Sequence, residues 1–343
     1  MNDFFKCVRD FLLNYLPKQK GASDNTILSY KMALNLFVTF MKDVKRITPV
    51  SLEFETVNLE IVKEFLDWIE NTRCCSVTTR NQRLAALRSF FEYAGLKDIS
   101  VMNLSFGIQE IPIKKAHGKI VEYLSEPALE TLLKQPDLKK SKGLRDLFLM
   151  ILMYDTAARC AEIIGLKLSD LHLDTDKPKV YLHGKGNKTR VVPLMPKTVE
   201  HCKRYLKKYH PNSGQKTDKD VLLFYTTSHR TRHTMSVDAV EAIYKKYGKS
   251  AAEQCNDMPA NLHPHMMRHT RAMHLYRSGM PLELLSQYLG HADIETTLIY
   301  AYADTEMKRE AIRKADVVRD GKEVPVEIWA DDEDMILKLS GLK

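Results

Sequence analysis

Apolar residues recur every three or four positions through the first hundred residues, the spacing of helices with one buried face. Asn2 or Asp3 caps a first helix presenting Phe4, Phe5, Val8, Phe11, Leu12 and Tyr15, and it ends near Pro17. Asp24 or Asn25 starts a second, with Ile27, Tyr30, Leu34, Phe37 and Phe40 on one side. A third spans about 58–73 with Ile61, Phe65, Leu66 and Ile69 inward. Ser76 or Thr78 begins a fourth, and Gly95 ends it. The pattern predicts a bundle of about four helices over residues 1–103. Arg80, Arg83 and Arg88 lie beside Leu84, Leu87 and Phe91 on the last helix. They read either as a solvated face or as a stripe turned toward DNA. Residues 104–121 lose the helical period and carry Gly, Pro and the basic Lys114, Lys115 and Lys119, which suits a linker along a nucleic-acid backbone.

Helical spacing returns after Ser125, with Pro127 in the first turn. Helices are predicted at about 126–134, 143–156 and 160–165. Two short apolar runs, 180–183 and 189–193, flank Gly184-Lys-Gly-Asn-Lys188 and read as a hairpin. Helices follow at about 196–209, 236–247, 265–279, 281–289 and 294–313. The fold class is mainly α with a small β-sheet. The boundaries are a helical domain over 1–103, a linker over 104–121, a mixed α/β domain over 122–315 and a tail over 316–343.

Composition narrows the class. Of 343 residues, 44% are hydrophobic and 28% charged, values of an ordinary globular chain. No apolar run reaches bilayer length and the N-terminus lacks a signal-peptide layout, so a soluble cytoplasmic protein without membrane contact is expected. The six cysteines are scattered without a zinc-knuckle spacing and read as free thiols. Net charge is +8. Residues 114–314 hold 34 Lys/Arg against 23 Asp/Glu, whereas residues 1–113 hold 14 against 13 and residues 315–343 hold 4 against 8. A basic centre suits a polyanion.

Four stretches in the second domain carry chemistry. They are Arg159-Cys-Ala-Glu162, Gly184-Lys185-Gly, His265-Met-Met-Arg268-His269 and Gly290-His291 with Tyr300 nine residues after the histidine. Each has a plainer reading alone. Arg159 and Glu162 make a weak helical ion pair, and Lys185 is a solvated hairpin tip for whose role Lys188 competes. His265 and His269 stand four apart like zinc ligands. Met266 occupies the place of that motif's glutamate, however, and no third ligand follows at a telling spacing, so no metal is expected.

In this order, behind a helical domain, the four stretches resemble the tyrosine recombinase (phage integrase) family, which includes Xer-type recombinases and transposon integrases. The resemblance implies a helical SAM-like core-DNA-binding domain and a catalytic domain that together clamp duplex DNA as a C. It implies that Arg159 and Arg268 grip the nonbridging oxygens of a phosphodiester, which a bidentate guanidinium does and a lysine cannot. Tyr300 would attack phosphorus to form a 3′-phosphotyrosyl link, and Lys185 would protonate the leaving 5′ oxygen. His265 would accept the tyrosine proton, His291 would donate to a nonbridging oxygen, and Glu162 and His269 would support them. Arg80, Arg83, Lys114, Lys115, Lys188 and Arg190 are the expected DNA contacts. No cofactor is implied.

The resemblance also implies double-stranded DNA with specific sites as partner. It implies a homotetramer that exchanges strands through a Holliday junction, with a partner recombinase or accessory factor as an option. With no arm-binding domain expected ahead of residue 1, the task leans toward a transposon-type or Xer-like element. Two departures from the family stand out. Tyr302 occupies a place often held by His, and Ala157 one often held by Gly. The tail would dock on a neighbouring protomer through Ile328, Trp329, Met335, Ile336 and Leu339, or on its own domain. The rivals are a type IB topoisomerase and a catalytically silent DNA-binding regulator.

Overall fold

The apolar stripes of the first hundred residues close on one another in a computed structural model. It describes residues 2–115, 121–184, 188–211, 220–228, 231–291, 293–303, 309 and 312. The chain divides into two compact units, Met1–Lys119 and Ile120–Lys343.

In the first unit, α1 (Asp3–Asp10) is capped by Asn2, whose side chain accepts from the Phe5 amide. The chain winds on through a π-helical stretch, Phe11–Gln19, because the wider turn spares the proline its clash with the preceding carbonyl. The helical run ends at Gln19, near Pro17 as expected. Next come α2 (Asp24–Asp43, capped by Ser23), α3 (Leu59–Asp67, capped by Asn58) and α4 (Val77–Lys97, capped by Ser76). Phe4, Phe11, Phe37, Phe40, Phe65, Phe90 and Phe91 form a fully buried aromatic core. Each contributes roughly 1.5–3 kcal/mol through burial.

The expected linker begins too early, because a fifth helix, α5 (Met102–Glu110), occupies its first part. Gly95 does not end α4. It lies inside that helix where α5 crosses, and an added Cβ would stand 3.4 Å from Met102 Cα. The arginines of the stripe have partners inside the bundle. The carbonyls at the end of α5 need donors. Arg88 supplies them to Ile108, Gln109 and Ile111, and Arg80 donates to Pro112 O at 3.0 Å. Arg80 is 5% exposed and Arg83 donates to Ser29 O. Both arginines therefore donate to the bundle's own backbone. Lys114 pairs with Glu70 at 2.7 Å, Lys115 is exposed, and Lys119 lies outside the described residues.

The second unit is built around α7 (Ser141–Thr156), which is apolar nearly all round and buried accordingly. Helix α6 (Glu126–Lys134) precedes it and α8 (Cys160–Ile164) follows. A three-stranded antiparallel sheet comes next, β1 (Leu171–His172), β2 (Lys179–His183) and β3 (Thr189–Pro193), in the order β1-β2-β3. Val180, Leu182 and Val192 point from it into the core. The unit continues with α9 (Pro196–Tyr209), an unpredicted polar hairpin of β4 (Tyr225–Ser228) and β5 (Thr231–Thr234), and α10 (Val237–Ala252). Then come α11 (Pro264–Arg277), α12 (Leu282–Leu289) and α13 (Glu295–Ala303). A second small core of Ala157, Ala272, Met273, Leu285, Leu289 and Tyr300 ties α11, α12 and α13 to the end of α7. The tail, 316–343, lies outside the described residues, and so does Lys185. No helix among the described residues is long and apolar enough to cross a membrane.

Candidate active site

Four chain segments converge at the end of α7. Ala157 ends that helix in the left-handed region (φ 47°, ψ 30°), which turns the chain so that Arg159 starts α8. The Arg159 amide donates to Glu162 Oε2 at 2.8 Å, and one guanidinium nitrogen donates to Oε1 at 3.1 Å. Glu162 also accepts both terminal nitrogens of Arg190 on β3, each at 2.8 Å. Burial pushes the Glu162 carboxyl up, but Arg190 and Arg159 outweigh it and hold the group below its ordinary value.

Helix α11 starts with Pro264, which removes one amide that would lack a partner, and sets His265, Arg268 and His269 along one face. Arg268 is 2% exposed and donates to Ala157 O at 2.7 Å and Leu289 O at 2.6 Å, the carbonyls at the ends of α7 and α12. Burial first, then Arg159 and Arg190, lower it to about 10, so it remains a cation at neutral pH. His269 Nδ1 lies 3.0 Å from the Tyr300 hydroxyl. Burial, with His265 and Arg268 nearby, lowers His269 to about 4. Burial raises Tyr300 to about 12 against the pull of Arg268 and Arg159. A neutral imidazole thus faces a protonated phenol, and in the tautomer with its proton on Nε2 His269 accepts from Tyr300.

Helix α12 ends at Gly290 in the left-handed region (φ 65°). His291 follows, with Nδ1 2.7 Å from Thr297 Oγ1, and burial plus Arg268 and Arg159 lower it to about 4. Arg159, Gly184, Lys188, Thr189, Arg190 and His291 line one open groove. Three guanidinium groups around one carboxylate leave a cationic surplus suited to a phosphodiester.

Arg159, Glu162, Arg268, His269, His291 and Tyr300 are brought together as the sequence predicted. One role differs. His265 was expected at the tyrosine hydroxyl, but His269, one turn further along α11, holds that place. His265 packs edge-on against the His269 ring at 4.6 Å, and burial and Arg268 lower its pKa. Arg190, expected on DNA, lines the groove but is paired with Glu162 through both terminal nitrogens. Tyr300 is 1% exposed with its hydroxyl at His269, whereas Tyr302 is 72% exposed. Sequence reasoning missed Thr297, and nothing in its local pattern separates it from a helix-surface threonine. Among the described residues no group of three or more His, Cys, Asp or Glu is placed to hold a metal ion.

Residues 122–307 match the phage integrase family, and residues 10–97 match the phage integrase N-terminal SAM-like domain. The inferred integrase/recombinase y4rC of Sinorhizobium fredii is 32% identical over 311 residues, covering 90% of each chain. The tyrosine recombinase XerD of Staphylococcus epidermidis is 29% identical over 307 residues, covering 88% of this chain and 94% of its own. The Tn1549 transposon integrase, solved with transposon right-end DNA, shares the fold at a TM-score of 0.67 with 19% identity, covering 91% of this chain and 99% of its own. Fold and site together define an enzyme that breaks and rejoins DNA strands through a tyrosine. The chain belongs to the phage integrase family and is a site-specific tyrosine recombinase acting in integration, excision or resolution of mobile or circular DNA.

Proposed function

We propose that Tyr300 is the nucleophile and that the surrounding groups divide the remaining work. Arg159 and Arg268 hold the nonbridging oxygens of the scissile phosphate. His291 adds a third donor: when Thr297 donates to Nδ1, the His291 proton sits on Nε2. As Tyr300 Oη bonds to phosphorus, its proton passes to neutral His269. The bond from phosphorus to the 5′ oxygen breaks, and Lys185 protonates that oxygen. The phosphodiester survives as a 3′-phosphotyrosyl ester. A 5′ hydroxyl from another strand then reverses the step and expels the tyrosine, with no external energy source. Four copies on two DNA sites would make the exchange through a Holliday junction, one strand per duplex at a time. The element served would be of transposon or Xer type.

One observation carries this reading: the buried Tyr300 hydroxyl, 3.0 Å from a neutral imidazole within the arginine cluster. Nicked suicide substrates bearing the ends of the protein's own element test it. The wild type and Tyr302→Phe form a denaturant-resistant protein–DNA adduct, and Tyr300→Phe forms none. An adduct lost only in Tyr302→Phe moves the nucleophile. Binding without any adduct in the wild type supports the regulator reading. Relaxation of supercoiled DNA without site preference supports the topoisomerase reading.

A further inference from the structure

Glu162 is a buried carboxylate with two arginines on it. Its side chain is 3% exposed and that of Arg190 is 13% exposed, whereas that of Arg159 is 40% exposed. The two arginines do not share it equally. Arg190 binds it in parallel, one nitrogen to each oxygen at 2.8 Å. Arg159 spends one guanidinium nitrogen at 3.1 Å and its backbone amide at 2.8 Å. The geometry leaves most of the Arg159 fork uncommitted beside the groove. It is the geometry of a competition that Arg190 wins.

We infer that Arg190 is a positioning residue for strand cleavage: by occupying both oxygens of Glu162 it keeps the Arg159 guanidinium from being captured by its own neighbour. A buried carboxylate that loses one cation does not stay half-paired, because an unsatisfied buried charge is costly. Arg159 is the nearest replacement and has the nitrogens to take both oxygens. It would then turn away from the groove. The stem of Arg190 also runs under Gly290, where an added Cβ would stand 3.1 Å from Arg190 Cδ. The same side chain therefore joins β3, the start of α8 and the turn before His291.

The inference rests on the proposed role of Arg159 at the scissile phosphate, so Arg159→Ala is run alongside in the full-length protein. Three quantities are measured: site affinity by gel shift, the single-turnover rate of adduct formation on suicide DNA with protein in excess, and the melting temperature. Arg190→Met is expected to bind within about threefold of wild type and to cleave about 100-fold more slowly, on the scale of a lost charge-stabilising contact. The double variant Arg190→Met/Glu162→Gln, which has no carboxylate to capture Arg159, is expected to regain at least tenfold of that rate. A structural defect alone would not respond this way, because the second change removes a further native contact. Weakened binding in Arg190→Met without rescue in the double variant overturns the inference and returns Arg190 to the DNA contacts. Equal loss of rate and melting temperature in both variants overturns it in favour of packing. Normal cleavage by Arg159→Ala instead removes the premise, whatever Arg190 does.

Discussion

At Tyr300 two influences oppose each other. Burial raises the phenol to about 12 while Arg268 and Arg159 favour the phenolate. The hydroxyl is therefore protonated at neutral pH, and His269, kept neutral by burial and cationic neighbours, accepts its hydrogen bond at Nδ1 when the ring proton is on Nε2. The same displacement has a consequence for stability. His269 and His291 bind protons near pH 4 when folded and near their ordinary 6.5 when unfolded. The unfolded chain then holds more protons as pH falls, so stability present above about 6.5 is lost progressively toward about 4. The two rings titrate as part of one cluster with His265, and the profile belongs to the cluster. Urea midpoints between pH 7.5 and 4.5 should fall with acid in the wild type and less steeply in His269→Asn. Parallel profiles for the two proteins would refute the assignment.

Ala157 shows how one turn between helices sets the site. Its left-handed backbone sets Arg159 at the start of α8, and its carbonyl holds Arg268. A non-glycine residue there costs about 1–2 kcal/mol, and removing its buried methyl costs about 0.8 kcal/mol. Ala157→Gly should therefore leave the unit as stable as before or up to about 1 kcal/mol more stable. Ala157→Val, branched at a strained and buried position, should cost about 2 kcal/mol or more. Urea unfolding of the two variants checks this, and a valine variant as stable as wild type would show that the backbone is unstrained.

The family resemblance made Ala157 conspicuous, because that place often holds glycine. Helices with one apolar face were equally legible, since burial repeats with the helical period. Helix α5 was hidden by its Gly107 and by the nearby Pro112, and β4–β5 by a Thr-rich run polar on both faces. Neither carries a one-sided pattern. The inward turn of Arg80 and the pairing of Arg190 depend on carbonyls and a carboxylate far away in sequence or brought near only by folding. No spacing rule contains them.

At the scale of the whole molecule, the basic surplus lies in the catalytic half, and the arginines that gave the first unit its apparent basic stripe are engaged internally. The two halves should therefore contribute differently to the electrostatic part of DNA binding. Each phosphate neutralised releases counterions and steepens the fall of log K with log salt by about 0.9. Lys188 is exposed on the rim of the groove that holds Arg159 and His291. Lys188→Gln should weaken binding to specific and non-specific duplexes alike and make the salt slope shallower by about one. Arg80→Gln should leave the slope unchanged. It should instead lower the stability of the first unit by about 1–3 kcal/mol, since the α5 end loses a buried donor to Pro112 O. Affinities measured between 50 and 200 mM salt, with melting curves for both variants, separate the two outcomes. A shallower slope in Arg80→Gln at unchanged stability would mean that this side chain leaves the bundle when DNA binds. The stripe would then be a DNA contact after all, held in reserve by the carbonyls it caps.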